Sequence, residues 1–307
     1  MRTDLDHLPP ERQRELEKAV EMVFEEFEDA LSLAKHEWKT RGAILKIILF
    51  GSFARGDWVY EPHTPVGKHS DYDLLIIVND KRLTDRVAYW SSLVTRFRRE
   101  YQVRHNLLSP VQFLVHSLDE VNDALEHGRY FFMDIVREGI ALYESDDTLL
   151  AEPKPKTPAA ALAMAREYYQ EWFPSAGEFF DDFRLNLERD RLKKSAFELH
   201  QCVERLYHTV LLVCTFYTPY VHELSVLREQ AELIDPRLRD AWPRETSEEV
   251  RTFDKLQESY VKARYIKHFR VTEEQLIWLG DGARRLTAIV DQICQERIAM
   301  LERAATA

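Results

Sequence analysis

Two kinds of apolar pattern alternate along the first 150 residues. Across 10–40, Ala19, Val23, Phe27, Ala30 and Leu31 recur at spacings of three and four in an otherwise acidic stretch. That period predicts one long helix with a single buried stripe. Residues 44–50 form a compact apolar run stopped by Gly51, and 74–78 form a second. Short runs of this kind, bounded by turn residues, predict buried strands. Residues 110–115 supply a third strand and 140–143 a last one. Between 81 and 101, Leu83, Val87, Trp90, Val94, Phe97 and Tyr101 fall on one helical face, and 119–126 also reads as helix. A small mixed sheet flanked by helices is the simplest packing of these elements.

The texture changes after residues 144–158, where three prolines alternate with lysines. Such a segment is an extended, solvated connection. Beyond it every pattern is helical. Leu199, Val203, Leu206, Val210 and Val213 make one stripe; Leu276, Leu279, Ala283, Leu286, Val290 and Ile293 make another. A further helix covers 160–187 despite the lone Gly177, while Pro219 and the Asp235-Pro236 step punctuate the middle. Four to six helices packed as a bundle are expected. The expected fold class is therefore α+β, a small mixed-sheet domain over 1–150 followed by an all-α bundle over 151–307.

Composition narrows the classes. The 307 residues are 45% apolar and 31% charged, enough for real cores and against disorder. No apolar run approaches the roughly 20 residues that span a bilayer, so no membrane partner is expected. Residues 1–10 resemble neither a signal peptide nor an Arg-rich presequence. Cys202, Cys214 and Cys294 have neither disulfide-framework nor zinc spacing. A cytoplasmic protein is the resulting expectation. The net charge of −11 disfavours a broad nucleic-acid surface. DNA is not expected as a partner, and RNA only through a local basic site.

The chemistry concentrates at the end of the first strand, which runs into Gly51-Ser52-Phe53-Ala54-Arg55-Gly56. Glycine and serine at a strand end let backbone N–H groups and a hydroxyl approach phosphate oxygens, the more so where a helix starts. About twenty residues on, Ser70-Asp71-Tyr72-Asp73 enters the next strand. Asp71 and Asp73 are two apart, so on extended chain they project to one side. Paired carboxylates repel unless a cation sits between them, and hard oxygen ligands of this kind suit Mg²⁺ that also binds phosphates. Either element alone is a common turn or strand start. Together they point to phosphoryl or nucleotidyl transfer.

The pattern Gly51, Ser52, Ala54, Arg55, Gly56, then Ser70, Asp71, Asp73, Leu74 resembles the minimal nucleotidyltransferases of the DNA polymerase beta-like superfamily. That resemblance implies triphosphate binding by Gly51 and Ser52, with Arg55 and Ser70 beside them, and Mg²⁺ or Mn²⁺ held by the catalytic pair Asp71 and Asp73. It also implies an NTP, ATP first, as substrate. Two features depart from the family. The loop between Gly56 and Ser70 is long and carries Trp58, Tyr60, His63 and Lys68, which could meet a base or phosphate or simply pack. The family's third carboxylate, on a neighbouring strand, has no counterpart in 110–115; Gln112 takes its place, with Asp119 and Glu120 just beyond. An amide can orient a hydroxyl but cannot take its proton.

The second half resembles the HEPN domain through residues 195–205, His222-Glu223-Leu224 and 260–265. In that family an Arg and a His, four to six residues apart, form a metal-independent RNase site across a dimer. Here the nearest pair is Arg264 and His268, with three residues between them; they would share a face on a continuous helix, but a helix end with a polar last turn is the favoured reading. His200 reads as a core histidine, and Arg191, Lys193 and Lys194 as a solvated basic face. The resemblance implies a homodimer through the helical half. In two-gene toxin–antitoxin relatives the transferase modifies a tyrosine of the HEPN partner, which makes Tyr265 the position to watch. Two readings follow: an Mg-dependent nucleotidyltransferase acting on a hydroxyl, or a HEPN-type RNase or RNA-binding protein whose impaired first half senses nucleotide.

Overall fold

The computed structural model describes residues 1–32, 36–61, 68–145, 149–219 and 221–307. The chain forms two compact units, Met1–Pro155 and Lys156–Ala307.

In the first unit, β1 (Ile44–Phe50), β4 (Tyr72–Val78), β5 (Val111–Ser117) and β6 (Ile140–Glu144) form one sheet in the order β5-β4-β1-β6. β1 is antiparallel to both of its neighbours, and β4 and β5 are parallel. A two-stranded ribbon, β2 (Tyr60–Glu61) and β3 (Lys68–His69), stands apart. Strand alternation sends Ile47, Leu49, Leu74, Ile76 and Phe113 into a core shared with Leu16, Ala19, Val23 and Phe27 of α1 (Pro10–Leu31). Leu93 and Phe97 of α5 (Ser91–Gln102) close that core. The other sheet face meets α6 (Leu118–Glu126) and α7 (Tyr130–Glu138), where Phe132 packs on His116 and Phe131 on Phe50.

Two expected helices are broken. The first stops at Leu31, where Ser32 turns its hydroxyl and amide onto the Asp29 carbonyl; a separate short α2 covers Glu37–Thr40. Residues 81–101 divide into a 3₁₀ turn (Lys81–Thr84), α4 (Arg86–Tyr89) and α5. Asp80 accepts from Arg82 N–H, and Asp85 from Val87 and Ala88 N–H, so each starts a new turn by local side-chain capping. Val87 consequently leaves the buried stripe and is 82% exposed.

The second unit contains, among the described residues, five α-helices: α8 (Pro158–Glu188), α9 (Leu192–Thr215), α10 (Leu224–Ile234), α11 (Ser247–Tyr265) and α12 (Glu273–Thr306). α9 lies at the centre and packs on the other four. Both sequence stripes are buried along their whole length. Thr246 and Thr272 close capping boxes with Glu249 and Gln275, fixing where α11 and α12 begin. No helix among the described residues is long and apolar enough to cross a membrane.

Candidate active site and its counterpart in the helical unit

β1 and β4 bring the two motif halves together. Phe50 pairs with Asp73, so Gly51 leaves β1 directly beside that carboxylate. A Cβ on Gly51 would lie 2.4 Å from Asp73 Oδ2, and its φ of +75° is one that L side chains rarely adopt. Glycine is thus required twice over, by conformation and by space. Gly51 also opens α3 (Gly51–Arg55), a single turn closed by left-handed Gly56, whose N–H donates to the Ser52 carbonyl at 2.9 Å. Ser52 is buried in that turn, and the turn's leading amides have no helical acceptor.

Asp73 is 7% exposed, and its pKa is held well above the usual carboxylate range. Burial is the main cause and the neighbouring Asp71 charge adds to it, while Arg55 pulls the other way. Arg55 also reaches Asp57, at 3.3 Å. Across the parallel pairing, Asp73 stands opposite Gln112, on the same sheet face by alternation. Gln112 therefore occupies the strand position next to the aspartates. Asp119 and Glu120 do not substitute for it. They begin α6 beyond Ser117, five strand residues or about 16 Å along β5. There Glu120 closes a capping box with Ser117, and His116, ahead of Ser117 N–H and Lys81, brings its pKa down to about 2. No group of three or more His, Cys, Asp or Glu suited to a metal occurs among the described residues, so the corner offers two carboxylates.

The loop residues behave differently from one another. Ser70 pins the loop's base: its hydroxyl accepts from Val59 N–H at 2.9 Å and its own N–H donates to the Val59 carbonyl at 2.8 Å. Trp58 packs inward, its ring parallel to Phe53 at 5.1 Å. His63 lies outside the described residues.

In the helical unit, α11 ends at Tyr265, with Ile266 extended, and buried Phe269 draws the chain away. Lys193 Nζ donates to the carbonyls of Ile266 and Lys267 at 3.0 and 2.9 Å, so this basic residue caps a helix end. His268 therefore sits in a turn past the helix and shares no helical face with Arg264, as a helix end with a polar last turn requires. Arg264 instead lies over Tyr260, 4.6 Å from its ring centroid. Tyr265 is 72% exposed.

A cluster that the sequence did not announce surrounds Glu204. His222 Nδ1 is 3.1 Å and His208 Nε2 3.7 Å from Oε1, and His200 Nδ1 is 3.4 Å from Oε2. Burial raises the Glu204 pKa, but the neighbouring His208 and the His222 hydrogen bond, with His200 beside them, outweigh it, leaving the pKa below the ordinary value. His200 is fully buried, and burial lowers its pKa to about 4. The side chain of His222 is 58% exposed and its ring stacks on Tyr260 at 4.4 Å, the same ring that carries Arg264. The His200-x₃-Glu204-x₃-His208 spacing on one helix was the available signal.

Comparison with known proteins divides the chain as the geometry does. Residues 34–148 match the family described as polymerase beta, nucleotidyltransferase, and residues 169–293 match the HEPN domain. No curated protein matches significantly. Among solved structures, the chain is similar to a nucleotidyltransferase-like protein from Exiguobacterium sibiricum 255-15, with 16% identity over 88% of this chain and 77% of that one. The TM-score is 0.27, too low to carry weight. Along one chain, then, a segment similar to polymerase beta-type nucleotidyltransferases is followed by a segment similar to HEPN domains.

Proposed function

We propose that this protein is a nucleotidyltransferase that moves a nucleoside monophosphate from an NTP, ATP first, to a hydroxyl acceptor. The observation that carries this reading is the corner where Gly51 lies against a buried Asp73 whose charge has a second carboxylate as neighbour. Asp71 and Asp73 would hold Mg²⁺ or Mn²⁺, which supplies positive charge for both the carboxylates and a triphosphate. The amides of the Gly51-Ser52 turn would take phosphate oxygens. In the transfer, the acceptor oxygen bonds to the α-phosphorus, the bond to the bridging oxygen breaks and pyrophosphate leaves. The acceptor's proton passes to solvent water, because Gln112 can orient that hydroxyl without accepting the proton. A modest rate is the consequence. Exposed Tyr265 is the proposed protein acceptor, beside Arg264, in the manner of a toxin–antitoxin pair, with the helical half forming a homodimer. Incubation with each α-labelled NTP and Mg²⁺ or Mn²⁺, with and without cell extract, tests this. Label on Tyr265 or another hydroxyl acceptor supports it; absence of label with every NTP and both metals counts against it.

A second reading is favoured by Glu204 and His222. With Nδ1–H given to a buried carboxylate, His222 keeps Nε2 for proton transfer at the surface, with Arg264 on the same Tyr260 ring to meet a phosphate. That arrangement suits RNA cleavage without metal. His222→Ala and His268→Ala, compared in an RNA-cleavage assay, distinguish this dyad from the Arg264/His268 pair.

A further inference from the structure

Tyr72, which separates Asp71 from Asp73, faces away from them by strand alternation and is fully buried. Its hydroxyl donates to Glu15 Oε2 at 2.7 Å, and burial first, then Glu15, raises the phenol's pKa, so it remains a donor. Glu15 Oε2 also accepts from Arg12 Nη1 at 3.2 Å, and Oε1 accepts from Leu108 N–H at 3.2 Å. Arg12 Nη1 reaches Ser109 Oγ at 3.4 Å, and Tyr72 N–H donates to the Pro110 carbonyl at 2.8 Å. The Tyr72 ring meets Phe53, the residue after Ser52, at 4.2 Å. The Arg12 guanidinium lies 5.4 Å from the Trp58 ring stacked on Phe53.

Three site segments therefore end on one buried assembly: the Gly-Ser turn through Phe53, the aspartates through Tyr72, and the start of β5, ahead of Gln112, through 108–110. The residues just ahead of α1 hold the turn from behind, His7 Nε2 lying 2.7 Å from the Phe53 carbonyl. Arg12 and Glu15 belong to α1, which precedes the segment 34–148 matched by the nucleotidyltransferase family. A buried Arg–Glu pair is a poor device for stability alone, because desolvation offsets much of its attraction. What it adds is a fixed geometry.

We propose that Glu15 and Tyr72 are positioning residues of the transfer site, by which α1 sets the aspartates against the Gly-Ser turn and the Gln112 strand. The inference rests on the nucleotidyltransferase reading above. Tyr72→Phe keeps the ring and its packing on Phe53 and removes only the hydroxyl. Glu15→Gln keeps an acceptor for Leu108 N–H and removes the charge. Val23→Ala, a cavity in the same helix remote from the site, serves as the stability control.

The experiment uses the full chain and measures Kd for Mn²⁺ with a non-hydrolysable ATP analogue by calorimetry, Tm, and kcat and KM for labelled transfer. Tyr72→Phe is expected to weaken analogue binding or lower kcat by about tenfold, because misplacement of reacting groups by a fraction of an ångström is enough. Val23→Ala should lower Tm at least as much and leave Kd and kcat unchanged. Should Tyr72→Phe not fold, Ser109→Ala, which loses only the outer hydrogen bond of Arg12, is expected to give a change of about two- to threefold in the same direction. Unchanged Kd and kcat in the folded variants overturn the positioning role while leaving the transfer reading intact. A wild-type protein that binds no Mn²⁺·nucleotide overturns both.

Discussion

Asp73 and Glu204 are equally buried carboxylates, 7% and 9% exposed, in the two units of one chain, yet their acidities shift in opposite directions. Burial pushes both upward. The neighbours decide the outcome: Asp73 has Asp71 beside it, and Arg55 as the opposing charge, whereas Glu204 has His208, His222 and His200. The second site supplies its own donors. The first carries a charge its surroundings do not balance, the usual mark of a site completed by something brought from outside. A high buried polarity is therefore not one signal but two, separated by whether the donors are already present.

The contrast can be broken from either side. Acid should injure the helical unit first. An unfolded His200 takes a proton near pH 6.5, while the folded residue resists it down to about 4. Stability is thus lost as pH falls through that window, by at most about 3 kcal/mol. Glu204, with its depressed pKa, loses its contribution in the same direction at lower pH. His200→Gln should flatten the slope in chemical denaturation followed from pH 7 to 4. At the other corner, Gln112→Glu adds the group able to take the acceptor's proton, and transfer should rise by about tenfold or more. The same variant should lower Tm in metal-free buffer, as a third carboxylate joins Asp71 and Asp73.

Asp73→Asn should act oppositely on stability. With a folded pKa above the unfolded one, the carboxylate destabilises the first unit increasingly as pH rises from the ordinary carboxylate range through the folded value. At pH 7 without metal the amide should therefore raise Tm by a few degrees, and Mg²⁺ should no longer change it. A lower Tm would mean that Asp73 is held by compensating donors, as Glu204 is. The smallest effect is expected from Lys193→Ala, which touches neither carboxylate. Losing the cap on Ile266 and Lys267 should cost about 0.5–1 kcal/mol and leave both chemistries alone.

What could be read from the residues depended on how local the information was. The run 44–50 and the stripe from Leu276 stand as expected because burial on a fixed period is written along the chain. The Gly51-Ser52 and Asp71/Asp73 elements stand out as short motifs, and the pairing of β1 with β4 brings Gly51 against Asp73. The breaks at Asp80 and Asp85 were not legible, because capping competes with a stripe that continues through them. The end of α11 was legible, but its cap was not: Lys193, more than seventy residues earlier and read as a solvated basic residue, provides it. Glu204 is the sharpest case. His200 and His208 are on its own helix, but His222 reaches it only after the chain leaves α9, so the donor set assembles only in three dimensions.

The most direct measurement is transfer of label from α-labelled ATP in the presence of Mg²⁺, with wild type and Asp73→Asn side by side and Mg²⁺-dependent nucleotide binding measured on both. The expected result is slow labelling of a hydroxyl acceptor by wild type, lost by at least about a hundredfold in the variant along with metal-dependent binding. Equal labelling by both proteins, or nucleotide binding that ignores both Mg²⁺ and Asp73, would contradict the assignment of the Asp71–Asp73 corner as the transfer site.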